Sequence, residues 1–311
     1  MNPVLKSTLF VVKNSKKVKI DKENIKLLSK KLLKILKSPK WPAEVHFQSK
    51  NADYLLTYLI ILGALNFCFW PNKWQTKYKN KIYSDYFSLS LRLKRMFEEN
   101  KNNDLNYLRK ISFSGFEKFL GKNCPLLEKR YEIFKSLIEI LIKKYPQPTK
   151  FVLSANHSAK ILLEKIYREL PYFDDISFYK TRKIYFLKKA QILIADIYGA
   201  FKGKDIGYFK DLNYLTCFPD YLLPKILTHY EILKYSKDLE EKIKNKKLIP
   251  AGSSEEVEIR ANTVWAIEIL KNYLNKLGLK IRSFELDWYL WNKAERLKSK
   301  LPHHLTKTIY Y

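Results

Sequence analysis

The segment from Tyr54 to Trp70, YLLTYLIILGALNFCFW, constrains the fold more than any other. A helix that is apolar on every side belongs in the centre of a large core or in a lipid bilayer. Its 17 residues sit at the lower limit for a membrane span, and Gly63, Asn66 and the aromatic close disfavour one. A buried core helix is expected, and a chain of 311 residues with 46% apolar content can surround it. The tail Asn66-Phe67-Cys68-Phe69-Trp70-Pro71 is too interrupted for an ordinary helix end. Such a cluster lines a core or stacks on a planar ligand.

Around that segment the punctuation is that of a mainly helical chain. Residues 4 to 20 alternate weakly and predict a short hairpin. Asp21 then caps a helix carrying Ile25, Leu28, Leu32, Leu33, Ile35 and Leu36, which Ser38-Pro39 ends. WQTKYKNKIYS reads as a two-stranded ribbon turning near Asn80, followed by a helix from Asp85. Leu105 to Tyr145 is helical, with breaks expected at Gly115, Gly121 and Pro125. Pro146 and Pro148 mark the best candidate boundary, yet apolar density on both sides favours one domain over residues 1–311. A helix stopping at Pro171 leads to ISFY and KIYF around the turn KTRK, a second ribbon. Next come a helix from Lys188 to Phe201 and the loop GKDIG. A capping box, Ser253-x-x-Glu256, opens a long helix that Gly278 closes. FELDWYLWNKAERLKSK is the last helix, and PHHLTKTIYY is expected to dock onto the body of the protein. With no β-α-β alternation and no internal repeat, the expected fold class is mainly α with small β-ribbons.

Several function classes are excluded. Cys68, Cys124 and Cys217 are far apart and form no C-x-x-C pair or Cys/His cluster, so neither a disulfide framework nor structural zinc is signalled. No H-E-x-x-H, P-loop or G-x-G-x-x-G is present, which disfavours zinc proteases, nucleoside triphosphatases and dinucleotide enzymes. The first residues resemble neither a signal peptide nor a transit sequence, so a cytoplasmic location is expected. Net charge is +28, which suggests a polyanionic partner, but only 9 of the 59 basic residues are Arg. The lysines are spread over almost every helix. A lysine-rich solvated surface is the favoured reading, with weak nucleic-acid association as its alternative.

Chemistry concentrates between Ile184 and Leu227, where Lys188, Lys189, Asp196 and Asp220 lie within apolar and aromatic sequence. A carboxylate in such surroundings must be hydrogen-bonded, paired or used at a site. Asp220 is the sharper candidate, standing between Phe218-Pro219 and Tyr221-Leu222-Leu223. It also suits a helix N-cap, with Pro224 tolerated in the first turn. The two roles are compatible, because one oxygen can cap while the other faces a pocket. On the preceding helix, Lys188 and Gln191 lie one turn apart, off the apolar face.

A series of segments, in the same order, resembles the queuosine salvage family of queuosine 5′-phosphate N-glycosylases: LNFCFW at 65–70, CPLLEKR at 124–130, YFLKKAQILIADIY at 185–198, LTCFPDYLLPKIL at 215–227, LKYS at 233–236, EVEIRA at 256–261, LDWYLWN at 286–292 and the terminal PHHLTKTIYY. The resemblance covers nearly the whole chain. It implies a helical fold like that of DNA glycosylases, no metal or organic cofactor, and a free nucleotide substrate whose 7-deazaguanine-type base, queuine or a precursor, is released from ribose 5-phosphate. Position by position, it implies Asp220 as the catalytic carboxylate. Phe218 would stack on the base, with Pro219 beside it, and His46, Lys188, Asp287, Trp288 and Asn292 complete the substrate-binding set. The chain departs from the family pattern at Pro219, where Ala is usual, at Leu222, where Arg is usual, at Asn292, where an acid is usual, and at Leu62-Gly63-Ala64, where Thr-Asp-Thr is usual.

Glycosidic cleavage builds oxocarbenium character on the ribose, which a fixed carboxylate stabilises. Phe67, Phe218 and Trp288 are the aromatic residues suited to a planar base, and a lysine or histidine to the 5′-phosphate. Rival readings are a transfer-RNA-binding protein without catalysis and a DNA base-excision enzyme.

Overall fold

The computed structural model describes all residues except 38, 73, 101–103, 298 and 300. The N-terminus departs from the expected hairpin. Pro3–Asn14 form helix α1, with Pro3 in the first turn and the Asn2 side chain accepting from Val4 N at 2.8 Å. Val4, Thr8 and Val11 are its buried residues, a helical spacing that outweighs the weak alternation. Val18–Ile20 do form a strand, β1, but it pairs antiparallel with the distant β6 (Leu233–Tyr235), Val18 opposite Tyr235. Glu258 fixes the intervening turn, its Oε2 accepting from the backbone N–H groups of Lys16, Lys17 and Val18 at 3.0, 2.7 and 3.2 Å.

Asp21 caps α2 (Lys22–Ile35) as expected, accepting from Asn24 N at 3.0 Å. Ile25, Leu28 and Leu32 are buried, whereas Leu33 and Ile35 face outwards. The helix stops at Ile35; the Ser38 expected to end it lies outside the described residues. The apolar segment supplies α3 (Ala52–Leu65), in which every residue from Tyr54 to Leu65 is buried. Each large side chain sequestered this way contributes about 1.5–3 kcal/mol, which makes α3 the axis of the core. Among the described residues no helix is long and apolar enough to cross a membrane.

The ribbon β2 (Gln75–Tyr78) and β3 (Lys81–Ser84) leads into α4 (Asp85–Glu99). Next come α5 (Leu105–Lys110), α6 (Phe113–Leu120) and α7 (Leu127–Lys144). The break expected at Gly115 falls earlier, because Ser112 caps α6 through Gly115 N and so places the glycine inside the helix. Gly121, at φ +83°, ends it. Helices α8 (Pro148–Leu153) and α9 (Ala159–Glu169) precede the ribbon β4 (Ile176–Tyr179) and β5 (Arg182–Tyr185). The last helices are α10 (Lys188–Ala200), α11 (Leu222–His229), α12 (Lys237–Lys244), α13 (Ser254–Lys276) and α14 (Ser283–Glu295). Around α3 pack α4, α7, α8 and α10; α14 packs on α11 and α13. The fold is mainly α with small antiparallel ribbons.

The terminal segment docks as expected. Leu305 accepts from Ile249 N at 2.8 Å, Tyr311 accepts from Cys68 N at 2.9 Å, and the Tyr311 ring is buried. Beneath it the fully buried Arg260 guanidinium lies 4.4 Å from the Tyr311 ring centre and 3.9 Å from that of Phe186. Asp175 receives two hydrogen bonds from this guanidinium, at 3.0 and 2.5 Å, and Glu256 one at 3.3 Å.

Candidate active site

The loop that ends at Asp220 is pinned at three residues. Thr216 N donates to Gln191 Oε1 at 2.9 Å, Phe218 N to Asp287 Oδ2 at 2.6 Å, and Arg260 Nε to the Pro219 carbonyl at 3.1 Å. Asp220 follows, with its two oxygens committed to different partners. Its Oδ1 accepts from Leu222 N at 2.8 Å and Leu223 N at 3.1 Å, capping α11, whose first turn contains Pro224. Its Oδ2 accepts from the Trp291 indole at 3.0 Å. The carboxylate is 6% exposed and lines a cleft.

Two helices wall the cleft. Lys188, Ile192 and Asp196 project from α10 at i, i+4 and i+8, one face of the helix. Asp287, Trp288, Trp291 and Asn292 line it from α14. Lys188 is buried, donates its backbone N–H to Asp175 Oδ2 at 3.1 Å, and sends Nζ to the Asn66 carbonyl at 3.2 Å. Burial lowers its pKa to about 8, with Asp220 and Asp175 opposing the fall. Burial, with Asp220 beside it, holds the Asp287 carboxyl well above the usual carboxylate range.

At the other end of the α10 face, His46 stacks on Trp41 with ring centres 4.1 Å apart. His46 Nδ1 meets the Pro42 carbonyl at 2.9 Å and Nε2 the Tyr86 hydroxyl at 3.0 Å. A carbonyl only accepts, so Nδ1 carries the proton and Nε2 accepts from Tyr86. Burial lowers the His46 pKa to about 4. The ring is therefore neutral and committed on both nitrogens, unsuited to the phosphate role. Trp41 Nε1 donates to Asp196 Oδ1 at 3.0 Å, while Asp196 Oδ2 is buried without a hydrogen-bond partner among the described residues.

The cleft thus gathers Asp220, His46, Phe218, Lys188, Asp287, Trp288 and Asn292. Pro219 is not on its wall; its carbonyl faces Arg260 instead. Phe67, expected to hold a base, is fully buried beneath the Arg130 guanidinium, 4.4 Å from its ring centre, and Phe69 lines the cleft in its place. Asn292 is exposed at the rim and folds its amide back to the Trp288 carbonyl at 2.7 Å. Lys189 turns away, donating to the Ala64 carbonyl at 2.9 Å. Trp41, Tyr86 and Trp291 were not singled out by sequence reasoning, and Asp196 was noted only as an isolated acid. For Asp196 a signal existed, its i+8 spacing from Lys188. Among the described residues no group of three or more His, Cys, Asp or Glu is placed to hold a metal ion.

The profile of the family described as "Queuosine salvage protein" matches residues 45–311. The chain is 35% identical to the queuosine 5′-phosphate N-glycosylase/hydrolase of Sphaerobacter thermophilus, over 99% of this chain and 97% of that protein. It is 35% identical to the protein of the same name from Dictyostelium discoideum, over the full length of both. To that from Bos taurus it is 31% identical, over 98% of this chain and 97% of that one.

Proposed function

The chain belongs to the queuosine salvage family, and on that footing we propose that it hydrolyses the N-glycosidic bond of queuosine 5′-monophosphate. It is a nucleotide N-glycosylase, releasing queuine or a precursor base and ribose 5-phosphate for salvage into transfer-RNA modification. The observation that carries this reading is the setting of Asp220, a buried carboxylate fixed on both oxygens at the wall of a cleft. As the bond from ribose C1′ to the base breaks, its electron pair leaves with the base and positive charge grows on the ribose. Asp220 stabilises that charge without having to reorganise. An oxygen already accepting the Trp291 indole N–H is a weakened nucleophile, which favours electrostatic stabilisation over covalent capture. Water adds at C1′, and the proton it sheds balances the charge on the departing base.

Phe218 and Trp288 flank the base, and Asp287 holds Phe218 in place through its backbone N–H. With His46 neutral, Lys188 is the buried cation suited to the 5′-phosphate. His46 and Asn292 bound the base end and the rim. We read residues 1–311 as one catalytic domain, because α1 packs on α13 and Tyr311 reaches the cleft wall. Three free, buried cysteines suit a reducing cytoplasm. The +28 surface adds weak, salt-sensitive nucleic-acid association.

The test is incubation of the purified protein with queuosine 5′-monophosphate and no RNA, following free base by chromatography. Release by the wild type and loss of about 10²-fold or more in Asp220→Asn is the expected result. No release from this nucleotide or its precursor forms overturns the reading.

A further inference from the structure

Asp196 is 3% exposed, lines the cleft, and keeps Oδ2 free of any hydrogen-bond partner among the described residues. A buried carboxylate oxygen left unpaired costs free energy, and such a cost persists where a ligand supplies the missing donor. The two donors nearest to the carboxylate are already engaged: the Trp41 indole bonds Oδ1, and the Tyr86 hydroxyl, although close enough to Asp196 to hold its pKa down, meets His46 Nε2 at 3.0 Å. Burial raises the Asp196 pKa to about 7, with Trp41 and Tyr86 opposing the rise.

Its position on α10 says which part of a ligand it meets. Lys188, beside Asp220 and Asp287, and Asp196 are separated by two helical turns, about 12 Å along the axis. Ile192 lies between them on the same face. Allowing about 3 Å for a polar contact at either end leaves roughly 6 Å, the breadth of a fused two-ring base. One polar pole is placed for the ribose and phosphate, and the other for the far edge of the base.

Resting on the nucleotide N-glycosylase reading, we propose that Asp196 is a specificity-determining residue whose free Oδ2 accepts hydrogen bonds from the N–H edge of a guanine-type base, its exocyclic 2-amino group above all. Trp41 orients the carboxylate, and His46 engages the Tyr86 hydroxyl that lies beside it. A site built this way rejects a base lacking the donor, because Oδ2 would then be buried unpaired.

The test separates base recognition from catalysis. Binding of the free bases 7-deazaguanine and 7-deazahypoxanthine, which lacks the 2-amino group, is measured by calorimetry on the wild type and on Asp196→Asn. The wild type should prefer 7-deazaguanine by on the order of 10²-fold. Asp196→Asn should bind both bases alike while melting no lower than the wild type, since it removes a strained buried charge. Equal wild-type affinity for the two bases overturns the proposal without need of any variant. So does an undiminished preference in Asp196→Asn, or a lowered melting temperature with the preference intact, which marks a merely structural carboxylate. Cleavage of queuosine 5′-monophosphate is followed in parallel. Selective base binding without cleavage would reject the glycosylase reading and keep Asp196 as a base reader; cleavage without selectivity would do the reverse.

Discussion

The indole Nε1 of Trp291 donates a 3.0 Å hydrogen bond to Oδ2 of Asp220, joining α14 to the N-terminus of α11 across the cleft. Oδ1 of the same carboxylate is held by two backbone N–H groups. Asp220 therefore presents charge in a single orientation, which is the condition for electrostatic catalysis without reorganisation.

Trp291→Phe keeps an aromatic ring between Tyr86 and Phe87 but deletes the donor. Hydrogen bonds to charged groups contribute about 1.5–3 kcal/mol, so kcat should fall about 10-fold to 10²-fold with KM nearly unchanged. In an Asp220→Asn background the same substitution should cost little, because the two groups act as a unit. Steady-state kinetics on the four proteins of this cycle measure the coupling. Simple additivity would rule out a shared role.

Lys188→Met removes a buried cation facing Asp220 and Asp175. If the ammonium holds the 5′-phosphate, KM for the nucleotide should rise about 10²-fold while affinity for the free base stays level. The wild-type ammonium is charged below its pKa of about 8 and neutral above it, so kcat/KM should decline as pH rises through that value. The Met variant should lack this limb. A pH profile of kcat/KM for both proteins decides it, and an identical alkaline limb in the variant would remove Lys188 from the role.

Local signals in the sequence carried far in some places and failed in others for identifiable reasons. The all-round apolarity of Tyr54 to Leu65 could be buried only as a central helix, and Asp21 and Asp220 announced their helices through cap chemistry. The pairing of Val18 with Tyr235 could not be read, because it joins strands more than two hundred residues apart whose register is set by packing. The N-terminal hairpin failed because a short alternating run also satisfies helical spacing, and Pro3 with the Asn2 cap decided for the helix. Phe67 was misplaced for a similar reason. Aromatic clusters serve core and site alike, and two residues of the same interrupted segment part company only in the tertiary packing, Phe67 into the core and Phe69 to the cleft wall. Trp41 and Tyr86 reach the cleft from separate segments, and nothing in either segment encodes their convergence on His46.

Asp196 and His46 should leave opposite marks on the pH dependence of stability. The folded-state pKa of Asp196, about 7, is raised above its ordinary 3.8. Its contribution is fully present below about pH 4 and is lost as pH rises through 7, on the order of 4 kcal/mol in all. His46 is the reverse, since its folded-state pKa of about 4 lies below its ordinary 6.5. Stability from the neutral ring is present above 6.5 and is lost as pH falls towards 4. Urea unfolding should therefore find Asp196→Asn more stable than the wild type at pH 8, level with it near pH 4, and shallower in its loss of stability as pH rises between them. Parallel curves for the two proteins would refute the burial of an unpaired carboxyl.

Arg260 ties the terminal segment to the loop that carries Asp220, and its removal should be felt in both. It is fully buried, pairs with Asp175 and Glu256, stacks between Phe186 and Tyr311, and donates to the Pro219 carbonyl next to Asp220. Breaking a buried ion pair by deleting one partner costs about 3–5 kcal/mol, because the other charge remains buried and uncompensated. Arg260→Met leaves two such carboxylates. Its urea midpoint should fall accordingly, and turnover should drop further than unfolding explains, because Asp175 also receives the Lys188 backbone N–H. Asp175→Asn combined with Arg260→Met should regain part of the stability, since one stranded charge is gone, but not the activity, since the Pro219 carbonyl still lacks its donor. A double variant no more stable than Arg260→Met would mean that the aromatic stack and the bond to Pro219, rather than the ion pair, account for the contribution of Arg260.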